Sequence, residues 1–211
     1  MIRITKKVGF YMNLLNNKKY VNDIIKVSNL KFINFEMLKN KSIAISGATG
    51  MIGSFIIDVI MYLNKEKKLN CQIYALGRTE NRAMERFANY WDEVLFTFIS
   101  QDINETIKIN ELSKIDYVLH LASNTHPRIY ATDPIGTITT NVIGTKNMLD
   151  FAKKNKVERF VFASTCEVYG ENRGDVEKFN ENYLGYIDCN TLRAGYPESK
   201  RCGETLCQAY I

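Results

Sequence analysis

From residue 42 onward, short runs rich in apolar and β-branched residues alternate with longer stretches of helical periodicity. Residues 42–45 (Ser-Ile-Ala-Ile) read as a buried strand, and residues 55–63 as a buried helix. Further strands are expected at residues 72–76, 95–99, 117–123 and 159–163. Between and after them, helices are expected at residues 80–88, 135–155 and 196–211, with Pro134 just ahead of one and Pro197 in the first turn of another. Strands that read as continuous apolar runs are covered on both faces, as in a parallel sheet. Alternating strands and helices then imply right-handed crossovers and an α/β fold with a doubly wound parallel sheet. His120 lies inside one such run and reads as a core histidine. Ahead of the sheet, Val21, Ile24, Ile25 and Leu30 space an amphipathic helix over residues 20–30. Residues 1–40 are therefore taken as an N-terminal packing extension and 41–211 as one domain. Residues 171–193 form a long polar stretch with little periodicity, and loops of that length tend to be functional.

Between the first strand and its helix lies Ser46-Gly47-Ala48-Thr49-Gly50-Met51-Ile52-Gly53-Ser54. Strand, glycine turn and helix form the context in which such a motif binds a dinucleotide rather than merely making a tight turn. Gly47 permits the sharp turn, Gly50 leaves room for a pyrophosphate at the backbone, and Gly53 permits close packing of the helix. The helix N-terminus offers unpaired N–H groups and a positive dipole end. At the end of the second strand, an acid would bond a ribose 2′-hydroxyl, but Gly77-Arg78 stands there. Arg78 either makes room for a 2′-phosphate, and so NADP, or is a surface arginine opening the next helix.

Composition narrows the class. The 211 residues are 45% hydrophobic, enough for a sizeable core, and carry a net charge of +5. The lysines are spread in pairs rather than clustered, which argues against a nucleic-acid arm. No segment is long and apolar enough for a signal peptide or a membrane span. Five cysteines without a Cys-x-x-Cys pair, and only two histidines, leave little for a metal site. Free thiols fit a reducing compartment, so a cytoplasmic location is expected.

Tyr196 and Lys200 stand four apart, on one face of the last expected helix. A free tyrosine has a pKa of roughly 10, too high for a base at neutral pH. A nearby ammonium favours the phenolate. The pair can then take a proton from a sugar hydroxyl as hydride leaves the same carbon. Ser164 or Thr165, at the end of the preceding strand, could hold the same oxygen, or could serve as a turn cap.

These residues give the chain its resemblance to the extended short-chain dehydrogenase/reductase family of nucleotide-sugar epimerases, dehydratases and decarboxylases. The likeness runs from about residue 41 to the end. It rests on the glycine motif at 47–53, Asp102-Ile103, His120-Leu121-Ala122-Ser123, Asn141-Val142-Ile143-Gly144-Thr145, residues 164–170, and Tyr196 with Lys200. The resemblance implies a Rossmann domain holding NAD, with NADP as the alternative. It implies that Gly47, Thr49, Gly50, Met51, Ile52 and Gly53 meet the pyrophosphate and Arg78 the adenosine ribose. Asp102 and Ile103 would border the adenine, Leu121, Ala122 and Ser123 the nicotinamide half, and Asn141 would contact the cofactor. Thr165, Glu167, Tyr196 and Lys200 would be catalytic, with Tyr196 the base and Lys200 also the ribose ligand.

Within the family the chain is most similar to UDP-glucuronate decarboxylases, in residues 163–170, 181–186 and 193–207. Those enzymes carry Thr-Ser-Glu where Thr165-Cys166-Glu167 stands. Cys166 replaces the aspartate of the 4,6-dehydratases, which counts against dehydration, and Glu167 counts against simple 4-epimerisation. The implied reaction oxidises the sugar at C4, so that a C6 carboxylate becomes a β-keto acid and leaves as CO2. Glu167 would position the sugar or water near C5. The alternatives are a 4-epimerase and a non-catalytic dinucleotide-binding remnant, because family members continue beyond this point into a substrate domain that the chain is expected to lack. The implied partners are a nucleotide-sugar substrate and a second copy of the chain, with no nucleic acid, membrane or metal.

Overall fold

The computed structural model describes residues 13–109 and 114–211. Among them, five parallel strands form one sheet: β1 (Ser42–Ser46), β2 (Gln72–Gly77), β3 (Phe96–Ser100), β4 (Tyr117–His120) and β5 (Arg159–Phe162). Their order is β3-β2-β1-β4-β5. The chain therefore winds outward from β1 in one direction, returns, and winds out the other way. This is the Rossmann arrangement, and the crevice at the carboxyl ends of β1 and β4 is where such sheets bind ligands.

The side-chain alternation of β1 explains why both faces are covered. Ile43 and Ile45 pack into a core with Ile57, Ile60 and Leu63 of α2 (Met51–Lys67), Ile73, Phe87 and Phe96. Ala44 faces the other way, into a core with Leu76, Val118, Met148 and Phe151. The last two belong to α6 (Thr145–Lys154). Each face is thus apolar, as a sheet buried on both sides requires.

The N-terminal helix α1 (Lys18–Ser28) begins at Asn17, whose side chain accepts from the Lys19 N–H at 2.9 Å. It lies against α2, burying Ile24 and setting Tyr20 edge-on to Phe55. Asp58 of α2 is fully buried beneath it. The Asp58 carboxylate is ion-paired with Arg86 of α3 (Glu80–Arg86) and accepts the Tyr20 hydroxyl at 2.5 Å. A buried carboxylate thus ties α1, α2 and α3 together.

Two expectations change in detail. The helix expected over residues 135–155 is instead α5 (Pro134–Thr139), a π-helical turn (Thr140–Gly144) and α6, preceded by a further short helix, α4 (Pro127–Thr132). Six residues are too few for periodicity to reveal α4; its signal is local, Pro127 at its start and His126 Nδ1 accepting the Arg128 N–H at 3.2 Å. The strand expected over residues 117–123 stops at His120. Beyond it, the Leu121 and Ala122 N–H groups turn to the Ser46 hydroxyl, at 3.2 and 3.3 Å, and leave the ladder. The final helix is α7 (Gly195–Ala209). Among the described residues no helix is long and apolar enough to cross a membrane.

Candidate functional site

The three glycines of the turn interlock. Gly47 has φ +69°, and a Cβ there would stand 2.8 Å from the Ala122 nitrogen. A Cβ on Gly53 would stand 2.6 Å from the Gly47 carbonyl oxygen. Gly50 is the N-cap of α2 and supplies no capping side chain, so the first turn of the helix is left for a ligand to satisfy. The Ala48 N–H donates to the Leu76 carbonyl at 3.2 Å, which fastens the turn to the end of β2.

From this turn a groove of about 530 Å³ runs along the carboxyl edge of the sheet. That lies within the range of roughly 300–1,000 Å³ usual for cofactor sites. Gly47, Thr49, Gly50, Met51, Ile52 and Gly53 form one wall. Arg78, Asp102 and Ile103 line one end; Leu121, Ala122, Ser123, Tyr196 and Lys200 line the other. An uncapped helix N-terminus, glycines pressed against backbone and an elongated groove across the switch point fit a dinucleotide.

Tyr196 and Lys200 are both buried, on the side of α7 that faces the sheet. The Lys200 ammonium donates to the Ala163 carbonyl at 2.7 Å and sits 4.6 Å above the centre of the Phe162 ring. Burial pushes its pKa down to about 8, so Lys200 is still mainly cationic at neutral pH. A cation thus lies one helical turn from the phenol, the arrangement that favours a phenolate.

His120 is a strut. It is buried between the Ser46 hydroxyl, 2.6 Å from Nδ1, and the Thr145 hydroxyl, 3.1 Å from Nε2. Burial first, and the Lys200 charge second, push its pKa down to about 3. The ring stays neutral and joins β1, β4 and α6, as a core histidine does.

Three expected site residues lie off the groove wall. Thr165 caps the 3-10 turn Cys166–Tyr169, its hydroxyl accepting the Glu167 N–H at 3.3 Å. Its neighbour Ser164 lines the groove instead, with its hydroxyl donated to Glu204 at 2.5 Å. Glu167 is ion-paired with Arg193 at 2.7 Å. Asn141 sits buried behind the wall, accepting from the Ser123 hydroxyl at 2.7 Å and donating to the Ser199 hydroxyl at 2.9 Å. Ser199 in turn donates to the Tyr196 carbonyl at 2.9 Å. Asn141 therefore couples the strand-end segment to the helix that carries Tyr196. The expected direct contact with a cofactor is replaced by this bridging position, because both ends of its amide are already engaged.

The sequence reading missed several wall residues: Arg82, Gln101, the segment 124–126, Ile129, Thr140 and Ala163. Arg82 had a signal, its four-residue spacing from Arg78. The segment 124–126 had none, since only the turn of the chain after β4 brings it back over the groove.

The strand order, the glycine turn and the Tyr-Lys helix on a shared groove define a Rossmann domain of the extended short-chain dehydrogenase/reductase type. The chain belongs to the NAD dependent epimerase/dehydratase family, whose model matches residues 43–211. Among curated proteins it is 37% identical over 171 residues to UDP-glucuronic acid decarboxylase 1 of Danio rerio, covering 81% of this chain and 38% of that protein. It is 35% identical over 167 residues to UDP-glucuronic acid decarboxylase 3 of Arabidopsis thaliana, covering 79% of this chain and 45% of that one. Among solved structures, UDP-glucuronic acid 4-epimerase from Bacillus cereus in complex with NAD superposes with a TM-score of 0.59 at 28% identity, covering 80% of this chain and 52% of that one. The chain thus spans less than half the length of these two curated relatives.

Proposed function

We propose that this chain is the dinucleotide-binding and proton-transfer portion of an enzyme that oxidises a nucleotide sugar at C4, with UDP-glucuronate decarboxylation as the reaction. The observation that carries the reading is the burial of Tyr196 and Lys200 side by side on the wall of the groove that begins at the glycine turn. Likeness to the two UDP-glucuronic acid decarboxylases supports the substrate. So does Cys166, which stands where a dehydratase needs an acid.

In this reading the turn at residues 47–53 holds the pyrophosphate through backbone N–H groups. Asp102 and Ile103 border the adenine, and Leu121, Ala122 and Ser123 border the nicotinamide half. NAD, when bound, supplies the hydride acceptor. Tyr196 takes the proton of the C4 hydroxyl, and the Lys200 cation stabilises the phenolate that makes this possible. Ser164 and Thr165 orient the sugar oxygen. Once C4 is a ketone, the C6 carboxylate is β to it and CO2 departs without a further acid. Glu167, its charge balanced by Arg193, positions the sugar near C5. The Ser123–Asn141–Ser199 chain keeps Tyr196 in register with the strand ends.

A 4-epimerase is the second reading, favoured by the likeness to the Bacillus cereus enzyme. The exposed Ile135 and Ile138 of α5 support self-association through that face, and the cytoplasm is the expected location. Incubation of the chain with NAD and either UDP-glucuronate or UDP-glucose separates the readings. Release of CO2 from UDP-glucuronate supports decarboxylation. Inversion at C4 of either sugar supports epimerisation. Dinucleotide binding with no turnover of either sugar leaves a non-catalytic dinucleotide-binding domain.

A further inference from the structure

The adenosine end of the groove is cationic. Arg78 follows directly on β2, and Arg82 lies in the first turn of α3, one helical turn further on. Both line the groove beside Gly77, Gln101 and Asp102. Among the described residues neither guanidinium has an ion pair or a hydrogen bond. This holds although Glu80 and Glu85 are close to both in sequence. The carboxylate on the same wall, Asp102, is engaged locally, its Oδ1 accepting the Asn104 N–H at 2.9 Å. The residues that follow the strand are Gly77, Arg78 and Thr79, so no acid stands at the strand end to accept a ribose 2′-hydroxyl. The position is also well fixed. The glycine turn is tied to Leu76 by the Ala48 N–H, and Gly77 pairs with Ser100 of β3. Two like charges one turn apart, unpaired and facing a groove, repel each other until an anion lies between them. Arginine forks match the geometry of phosphate oxygens.

We propose that Arg78 and Arg82 together bind a 2′-phosphate on the adenosine ribose, so that the chain prefers NADP to NAD. This rests on the dinucleotide-binding reading above and concerns only which dinucleotide the groove selects.

The test is calorimetric titration of the full chain with NADP, NAD and 2′-phosphoadenosine in low-salt buffer. The expected result is binding of NADP about tenfold or more tightly than NAD, with 2′-phosphoadenosine competing against NADP. The preference shrinks as salt screens the two cations. R78A and R82A each weaken NADP by about tenfold and leave NAD within about twofold. R78K and R82K, which keep the charge but lose the fork, fall in between. Both residues are on the surface of the groove, and circular dichroism of each variant confirms the fold. NAD binding as tightly as NADP to the unaltered chain, or R78A and R82A weakening both dinucleotides equally, overturns the inference alone. Binding of neither dinucleotide overturns it together with the dinucleotide-binding reading.

Discussion

Replacing Gly53 with alanine tests the close fit on which the groove depends. Gly53 lies in the first turn of α2, and the added methyl would stand 2.6 Å from the Gly47 carbonyl oxygen and 3.1–3.2 Å from Ala48 backbone atoms. The obstacle is backbone, so no side chain can swing away. That carbonyl also accepts the Gly50 N–H at 2.9 Å, so moving it loosens the turn itself. Alanine gains about 1 kcal/mol over glycine from helix propensity alone, while overpacking a tight contact costs about 1–3 kcal/mol. With an unyielding neighbour the upper half of that range applies, for a net loss of about 1–2 kcal/mol. Gly195→Ala is the control. Its methyl meets the flexible end of Ile138, at 3.2 Å from Cδ1, which can shift at small cost. Urea denaturation measures both, and the expectation is a lowered midpoint at unchanged slope for G53A alone. Dinucleotide affinity of G53A should fall about tenfold or more, because the displaced turn no longer presents its N–H groups to the pyrophosphate. A G53A protein that unfolds at the same urea concentration as the unaltered chain, with undiminished affinity, would refute the interlocking of Gly47 and Gly53.

The other expectations concern buried charge and the reacting pair. Arg86→Ala strips the counter-ion from the fully buried Asp58 and should cost about 3–5 kcal/mol in urea denaturation; a loss below about 1 kcal/mol would mean that Tyr20 and water suffice. Burial lowers the Lys200 pKa to about 8, against about 10.4 in an unfolded chain. The unfolded state therefore binds more protons between those values, and stability should rise relative to a K200M variant as pH climbs from about 8 to about 10. A parallel pH dependence in the two proteins would place the ammonium in water. Tyr196→Phe should reduce turnover of any sugar substrate by about 10²–10⁴-fold while leaving dinucleotide binding within about twofold; retained turnover would remove the phenol from the proton transfer.

Much of the site could be read along the chain because its parts are local. Gly47, Gly50 and Gly53 lie within one turn and the helix start that follows it, and Tyr196 and Lys200 within one turn of a helix. Spacing alone puts each set on a common face. Thr165 shows the limit of such reading. Its type suits both a substrate hydroxyl partner and a turn cap, and only the path of the chain after β5 gives its oxygen to the Glu167 N–H while Ser164 reaches the groove. Asn141 is similar. Its motif marked it as important, but its partners, Ser123 and Ser199, lie 18 and 58 residues away.

The sequence by itself determined the alternation of strands and helices, the glycine turn, and the pairing of a phenol with a cation four residues on. Each follows from the 2.0 and 3.6 residue periods and from what glycine alone permits. Tertiary structure decided the order β3-β2-β1-β4-β5, and that order brings Arg78, Asp102 and Tyr196 to one groove. It also decided the bond from Tyr20 to Asp58 and the ion pair of Glu167 with Arg193. These contacts join segments distant along the chain, and their partners are chosen by how the two apolar faces of the sheet are covered, which no local pattern encodes.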